Sequence, residues 1–201
     1  NYIKVRILLK MLDKGDLDTV SKIFSSVEIK STLLPVFYKV VKMDKYNELV
    51  NMMSEDVKEN NDVLRSMGQF LIENGIFENM ALQNIISLIN NMAELKKLGF
   101  AFIENGYSGY PLFDTLMNKL YERNRAEARN LLINSIQNSK LSQNEMIEHI
   151  EKLANLNKTE AIKVVDFFPA TDYYKAICTI LFSKKIFSKE QEENIKLRMG
   201  L

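Results

Sequence analysis

A twelve-residue stretch occurs twice in this chain. Residues 64–75, Leu-Arg-Ser-Met-Gly-Gln-Phe-Leu-Ile-Glu-Asn-Gly, return at 95–106 as Leu-Lys-Lys-Leu-Gly-Phe-Ala-Phe-Ile-Glu-Asn-Gly. Leu, Gly, Ile, Glu, Asn and Gly are identical at matching places, and both the internal and the terminal glycine are preserved. Apolar residues recur at helical spacing within each copy, and Asn-Gly closes it as a helix end does. Self-similarity at a period of about 30 residues marks stacked supersecondary units, each too small to bury its own apolar face. The fold class expected is therefore all-α, an α-α superhelix or solenoid, with residues 1–201 forming one helical-repeat domain.

The remainder of the chain agrees with helices. Glycine (7) and proline (3) are scarce, which removes the common breakers and leaves straight-chain residues that favour helix. Tyr2 to Leu12 carries an apolar stripe, Lys14-Gly15 ends it, and Asp16 stands as N-cap to a second stripe of Leu17, Val20, Ile23, Phe24 and Val27. Leu33 to Val41 and Tyr46 to Met53 form the next pair around Met43-Asp44-Lys45, with Pro35 tolerated in a first turn. The duplicated stretch opens the third and fourth hairpins, the former completed by a helix over 77–90. Gly106-Tyr107-Ser108-Gly109-Tyr110-Pro111 is the longest breaker-rich stretch, with Pro111 suited to the first position of a helix to Glu122.

Beyond it, Asn124-x-x-Glu127, Ser142-x-x-Glu145, Asn157-x-x-Glu160 and Ser188-x-x-Gln191 have the spacing of capping boxes. Together with Thr171 as a cap, they predict helices over 124–138, 142–155, 158–168, 171–183 and 188–199. The sum is roughly thirteen helices in about six antiparallel hairpins. Ala128 and Ala161 read as second-helix markers, which leaves one helix unpaired near Tyr107 and predicts a phase break or bend at 106–111.

The repeat resembles a divergent tetratricopeptide (TPR-like) repeat. Leu64-x-x-Met67-Gly68-x-x-Leu71 and Leu95-x-x-Leu98-Gly99-x-x-Phe102 match its first helix, and Val20-x-x-x-Phe24, Ala81-x-x-x-Ile85, Ala128-x-x-x-Leu132 and Ala161-x-x-x-Val165 match its second. The resemblance implies that partner peptides lie along first-helix residues, which selects Arg65, Gln69, Lys96 and Phe100. The Lys-, Asn- and Ile-rich style is also similar to repeat regions attached to bacterial family-2 glycosyltransferases. That similarity implies an accessory, C-terminal region of a larger bacterial protein. The acidic metal-binding motif of the transferase domain itself is not in these residues.

Other chemistry is thinly represented. The 27 basic and 26 acidic residues leave +1, so no global field steers the chain to nucleic acid, and Lys96, Lys97, Arg123, Arg125 and Arg129 are the one cluster to test for RNA. His149 lacks partners at the spacing a metal site or catalytic triad requires, and reads as a helix-surface or interhelix residue. Gly106-x-x-Gly109 is too sparse for a phosphate loop. Cys178 is the single cysteine, which excludes an internal disulfide, suits a reducing compartment and reads as apolar filler. No apolar run approaches the ~20 residues of a membrane span. Tyr107, Tyr110 and nearby Phe113 offer a contact surface, or else pack on the neighbouring hairpin. Met52, Met53, Met67, Met80 and Met92 divide similarly between an adaptable face and core.

The expected function is thus a non-catalytic scaffold for protein–protein interaction, cytoplasmic, with no catalytic residue, cofactor or metal. Its partner would be a protein, a peptide or another domain of the same chain. The alternatives are a small-ligand binder or enzyme with a site inside the superhelix, and an RNA-binding helical repeat.

Overall fold

The computed structural model describes residues 2–16, 18–20, 22, 34–43, 59–138 and 140–201. Among them the chain is all-helical, without a strand. The elements are α1 (Tyr2–Asp13), α2 (Leu34–Lys42), α3 (Asn61–Glu73), α4 (Met80–Leu88), α5 (Met92–Glu104) and α6 (Pro111–Arg123). They continue with α7 (Arg125–Asn138), α8 (Gln143–Leu156), α9 (Lys158–Asp166), α10 (Asp172–Ser183) and α11 (Lys189–Met199). Asp16 accepts from Thr19 N at 3.1 Å, as its expected capping role requires. The stripe to Val27, the pairing of Val20 with Phe24, and the helix over 46–53 with Met52 and Met53 lie outside the described residues.

Helix boundaries follow local chemistry. Ser142 and Ser188 make complete capping boxes with Glu145 and Gln191, so two orphan donors are satisfied at each start. Asn91 and Asn157 accept from the first-turn amides of α5 and α9, and Asn124 accepts from Glu127 N at 3.2 Å. Thr171 stands at the N-cap of α10 in extended backbone, but its hydroxyl makes no capping bond, contrary to the cap read at that position. Gly75 and Gly106 have φ of 77° and 78°, the left-handed geometry that ends α3 and α5.

Helices pack on the next and next-but-one element in the chain: α3 on α4 and α5, α4 on α6, α5 on α6 and α7, α7 on α8 and α9, α8 on α10, and α9 on α11. The odd-numbered helices α3, α5 and α7 share one register. Counting from the first helical residue, positions four, seven, eight, eleven and twelve are buried in three successive helices. They are Leu64, Met67, Gly68, Leu71 and Ile72 of α3; Leu95, Leu98, Gly99, Phe102 and Ile103 of α5; Ala128, Leu131, Leu132, Ser135 and Ile136 of α7. Gly68 faces Leu98 and Gly99 faces Leu131, the same pairing one repeat apart. By contacts, therefore, α7 stands to α5 as α5 stands to α3. Ala128 marks the position of Leu64 and Leu95, that of a first helix, where the alanine alone reads as second-helix.

Polar bridges also join helices across the stack. Lys119 Nζ of α6 donates to the Ile86 carbonyl at 2.8 Å and the Ser87 carbonyl at 2.5 Å, closing the C-terminus of α4. Arg198 of α11 does the same for α9, donating to the carbonyls of Phe168 and Val165 at 2.6 and 2.8 Å. At the other end of the chain Lys39 of α2 reaches Asp13 of α1. Each cation satisfies carbonyls or a carboxylate at a helix C-terminus, where the orphan acceptors and the negative end of the dipole lie.

Candidate functional site

Positions five and nine of α3, α5 and α7 are neither core nor free surface. Arg65 and Gln69 of α3, Lys96 and Phe100 of α5, and Arg129 and Ile133 of α7 are all half-buried. Helical geometry places positions four apart on one face. Arg65 donates from Nε to Glu94 Oε2 at 3.0 Å and from Nη1 to Gln69 Oε1 at 2.8 Å, while Gln69 Nε2 donates to Glu73 at 2.7 Å. Lys97 reaches the other oxygen of Glu94 at 2.6 Å. Hydrogen bonds from Lys97 and then Arg65 hold the Glu94 carboxyl below the usual carboxylate range despite its burial. One repeat on, Lys96 pairs with Glu127 at 2.6 Å.

The two bridges are equivalent: a cation at position five of one odd helix meets a glutamate at position three of the next. On α7 the series stops. Arg129 holds position five, but Glu160 of α9 pairs with Lys163 of its own helix at 3.2 Å, and Arg129 Nε is buried without a hydrogen-bond partner.

Hollows open on this face. One of about 170 Å³ is lined by Tyr38, Arg65, Ser66, Gln69, Phe70 and Glu73, with the Tyr38 ring stacked 4.0 Å from Phe70. Burial, and next the Glu73 charge, raises the Tyr38 hydroxyl pKa. A second hollow of about 350 Å³ is lined by Met92, Ala93, Lys96, Lys97, Phe100, Asn124 and Glu127. Four of the residues expected from the sequence, Arg65, Gln69, Lys96 and Phe100, thus line two cavities from equivalent helical positions, the first closed by α2 and the second by the start of α7. Tyr38, Phe70, Glu94 and Glu127 were not anticipated there. The Asn124-x-x-Glu127 spacing flags Glu127, but as a cap, whereas the carboxylates of Glu94 and Glu127 both cross to the preceding odd helix.

Tyr107 and Tyr110 lie apart from this face, in the turn between α5 and α6. Tyr107 stacks on Phe77 with centroids 3.8 Å apart, and Tyr110 packs on the same ring at 4.4 Å. Of the methionines, Met67 is buried, Met92 lines the second hollow and Met80 is exposed.

The basic cluster is largely engaged. Lys96 and Lys97 are paired with glutamates, Arg123 donates to the Asn90 carbonyl at 3.2 Å, and Arg125 lies 5.1 Å over the Tyr121 ring. His149 is buried between α8 and Phe113, its Nδ1 2.8 Å from the Glu145 carbonyl. Burial pushes the Cys178 thiol up to about 11, which leaves it a neutral thiol in the core. Among the described residues no three His, Cys, Asp or Glu side chains converge on a cation position, and no helix is long and apolar enough to cross a membrane.

Compared with known proteins, the chain matches no family model, no curated protein and no solved structure.

Proposed function

We propose that the chain is a non-catalytic, TPR-like helical-repeat scaffold, an α-solenoid whose odd-numbered helices offer one face to a protein segment. The observation that carries this reading is the repeated placement of half-buried side chains around two hollows, Arg65 and Gln69 on α3 and Lys96 and Phe100 on α5. An extended or helical peptide meeting such a face finds apolar footholds at Phe70, Phe100 and Met92. It also finds an uncompensated guanidinium at Arg129. The ligand favoured is therefore a peptide with an apolar anchor followed by a carboxylate, since a half-buried cation whose buried Nε lacks a partner gains from a charged one. Neutralisation of Lys96 and Lys97 by glutamates argues against an RNA groove, which requires a continuous basic stripe. The single cysteine suits the cytoplasm, and the sequence style is similar to that of accessory regions of larger bacterial proteins such as glycosyltransferases.

Selection of peptides from a displayed random library on the 201-residue chain tests the reading. Ligands rich in apolar and acidic residues are expected. Their binding should fall at least tenfold in Phe100→Ala and Arg129→Gln, and should survive Gln83→Ala on α4. Selected ligands indifferent to Phe100 and Arg129 would refute it.

A further inference from the structure

A different part of the molecule carries a second kind of site. A cavity of about 630 Å³ lies between α8, the start of α9 and the turn joining α10 to α11. Its wall is polar: Glu148, Glu151 and Lys152 come from α8, Lys158 from α9, and Lys184 and Lys185 from the turn. Two of the four lysines are already satisfied, Lys152 by Asp114 at 2.6 Å and Lys184 by Glu151 at 2.7 Å. Lys158 and Lys185 have no ion pair among the described residues, and they reach the cavity from two different elements.

Lys185 is also conformationally out of place. Its φ is 56°, and it is the single non-glycine residue with positive φ among the described residues. It sits two residues past the end of α10, the place that Gly15, Gly75 and Gly106 take after α1, α3 and α5. A Cβ in this region meets the following carbonyl, so the turn would be better made by glycine. What the lysine adds is a second exposed ammonium without an ion pair at the cavity, and strain of this kind is a pointer to function.

We propose that this cavity binds a small phosphate-bearing molecule, its phosphate held by Lys158 and Lys185. Lysine acts on phosphate as a point charge, and a polyvalent anion suits two separate ammonium groups better than a single carboxylate does. The volume falls within the range of small-molecule sites. Ala154 and Ile186 are the apolar lining, with no aromatic ring to stack a base, so a hydroxylated phosphate ester fits better than a nucleotide. Exposed Glu148 at the wall is placed to accept from such hydroxyls.

Inorganic pyrophosphate is the probe, with sodium chloride at equal ionic strength as reference, read by thermal denaturation and by titration calorimetry on the 201-residue chain. Pyrophosphate is expected to raise the melting temperature of the wild type beyond the chloride reference. Lys185→Gly is expected to melt higher than wild type without ligand, because the left-handed strain is relieved, and yet to bind pyrophosphate at least tenfold more weakly. Lys158→Gln should weaken binding similarly without a change in ligand-free melting. No stabilisation of the wild type over chloride, or unchanged affinity in both variants, would overturn the proposal. Tighter binding of poly(uridylate) than of pyrophosphate would overturn it too, and would assign the lysines to nucleic acid.

Discussion

Gly99 of α5 receives the Leu131 side chain of α7 so closely that a Cβ on the glycine would overlap the leucine methyl. Leu131 is fully buried, so its methyl can yield only by repacking its core neighbours. At Gly68 the same addition would stand 3.1 Å from Leu98 and 3.2 Å from Ile85, tight but adjustable. Alanine gains about 1 kcal/mol of helix propensity over glycine, while overpacking costs about 1–3 kcal/mol. Gly68→Ala is therefore expected to be near neutral, and Gly99→Ala and Gly68→Leu to lower stability by about 1–3 kcal/mol. Urea denaturation of the three variants checks this, and a Gly99→Ala protein more stable than wild type would show that the helices are not in contact there.

Gly109 is required for a different reason. A Cβ there would collide with the Glu145 carboxylate, which accepts from Ser142 N at 2.7 Å as half of the α8 capping box. Gly109→Ala must displace Glu145, and the expected loss is about 1 kcal/mol, the usual worth of a cap. In a Glu145→Gln background the glutamine must move as well, so the two losses should not add. Additive losses would contradict the contact.

Acid should act in two stages. His149 is buried, and burial holds its pKa below the ordinary value against the Glu145 carbonyl, Asp114 and the Ser108 backbone, while Lys152 lowers it further. The unfolded chain therefore takes up this proton first, and stability that is complete above about pH 6.5 declines as the pH falls through that value. Glu94 and Glu145 also have depressed values, caused first by hydrogen bonds with Lys97 and Ser142, so their contributions are lost at lower pH, below about 4.3. Melting temperature between pH 7 and 5.5 should fall in the wild type and fall less in His149→Gln. Equal slopes would remove His149 from the account.

How much of this was legible follows from which interactions are local. Caps at Ser142 and Ser188 were readable because both partners lie within four residues, and the glycines at 68 and 99 stood out because the duplicated stretch preserves them. Glu127 and Glu160 have the same local signature as Glu145, yet their carboxylates go to Lys96 and Lys163. Lys96 stands on another helix, where no spacing rule reports it, whereas Lys163 competes from three residues on in the same helix. The equivalence of α7 with α3 and α5 was hidden for a related reason. Ala128 replaces the leucine of the duplicated stretch and Leu132 replaces its glycine, so the sequence signature disappears while the buried positions persist. The face itself was reached through Arg65, Gln69, Lys96 and Phe100, but Tyr38 joins it from a helix with no sequence link to the repeat.

Lys119 offers a test of the cross-helix caps. Its ammonium is half-buried and serves the last carbonyls of α4, and burial, with Arg123 second, lowers its pKa. Lys119→Met keeps the stem and removes the donors, leaving the Ile86 and Ser87 carbonyls short of a partner, at a cost of about 1–3 kcal/mol. Hydrogen exchange of the α4 amides should rise in parallel. Unchanged exchange in α4 would mean that the bridge does not support it.

In the proposed solenoid the odd helices step along one axis. Spin labels at position six of successive odd helices read this directly, through the pairs Ser66–Asn130, Ser66–Lys163 and Ser66–Asn194 introduced as cysteines, with buried Cys178 left unlabelled. Neighbouring helix axes lie about 8–10 Å apart, so the solenoid predicts distances that lengthen at every step, by roughly that spacing less any curvature. Distances that level off or shorten after Asn130 would describe a closed bundle and contradict the account.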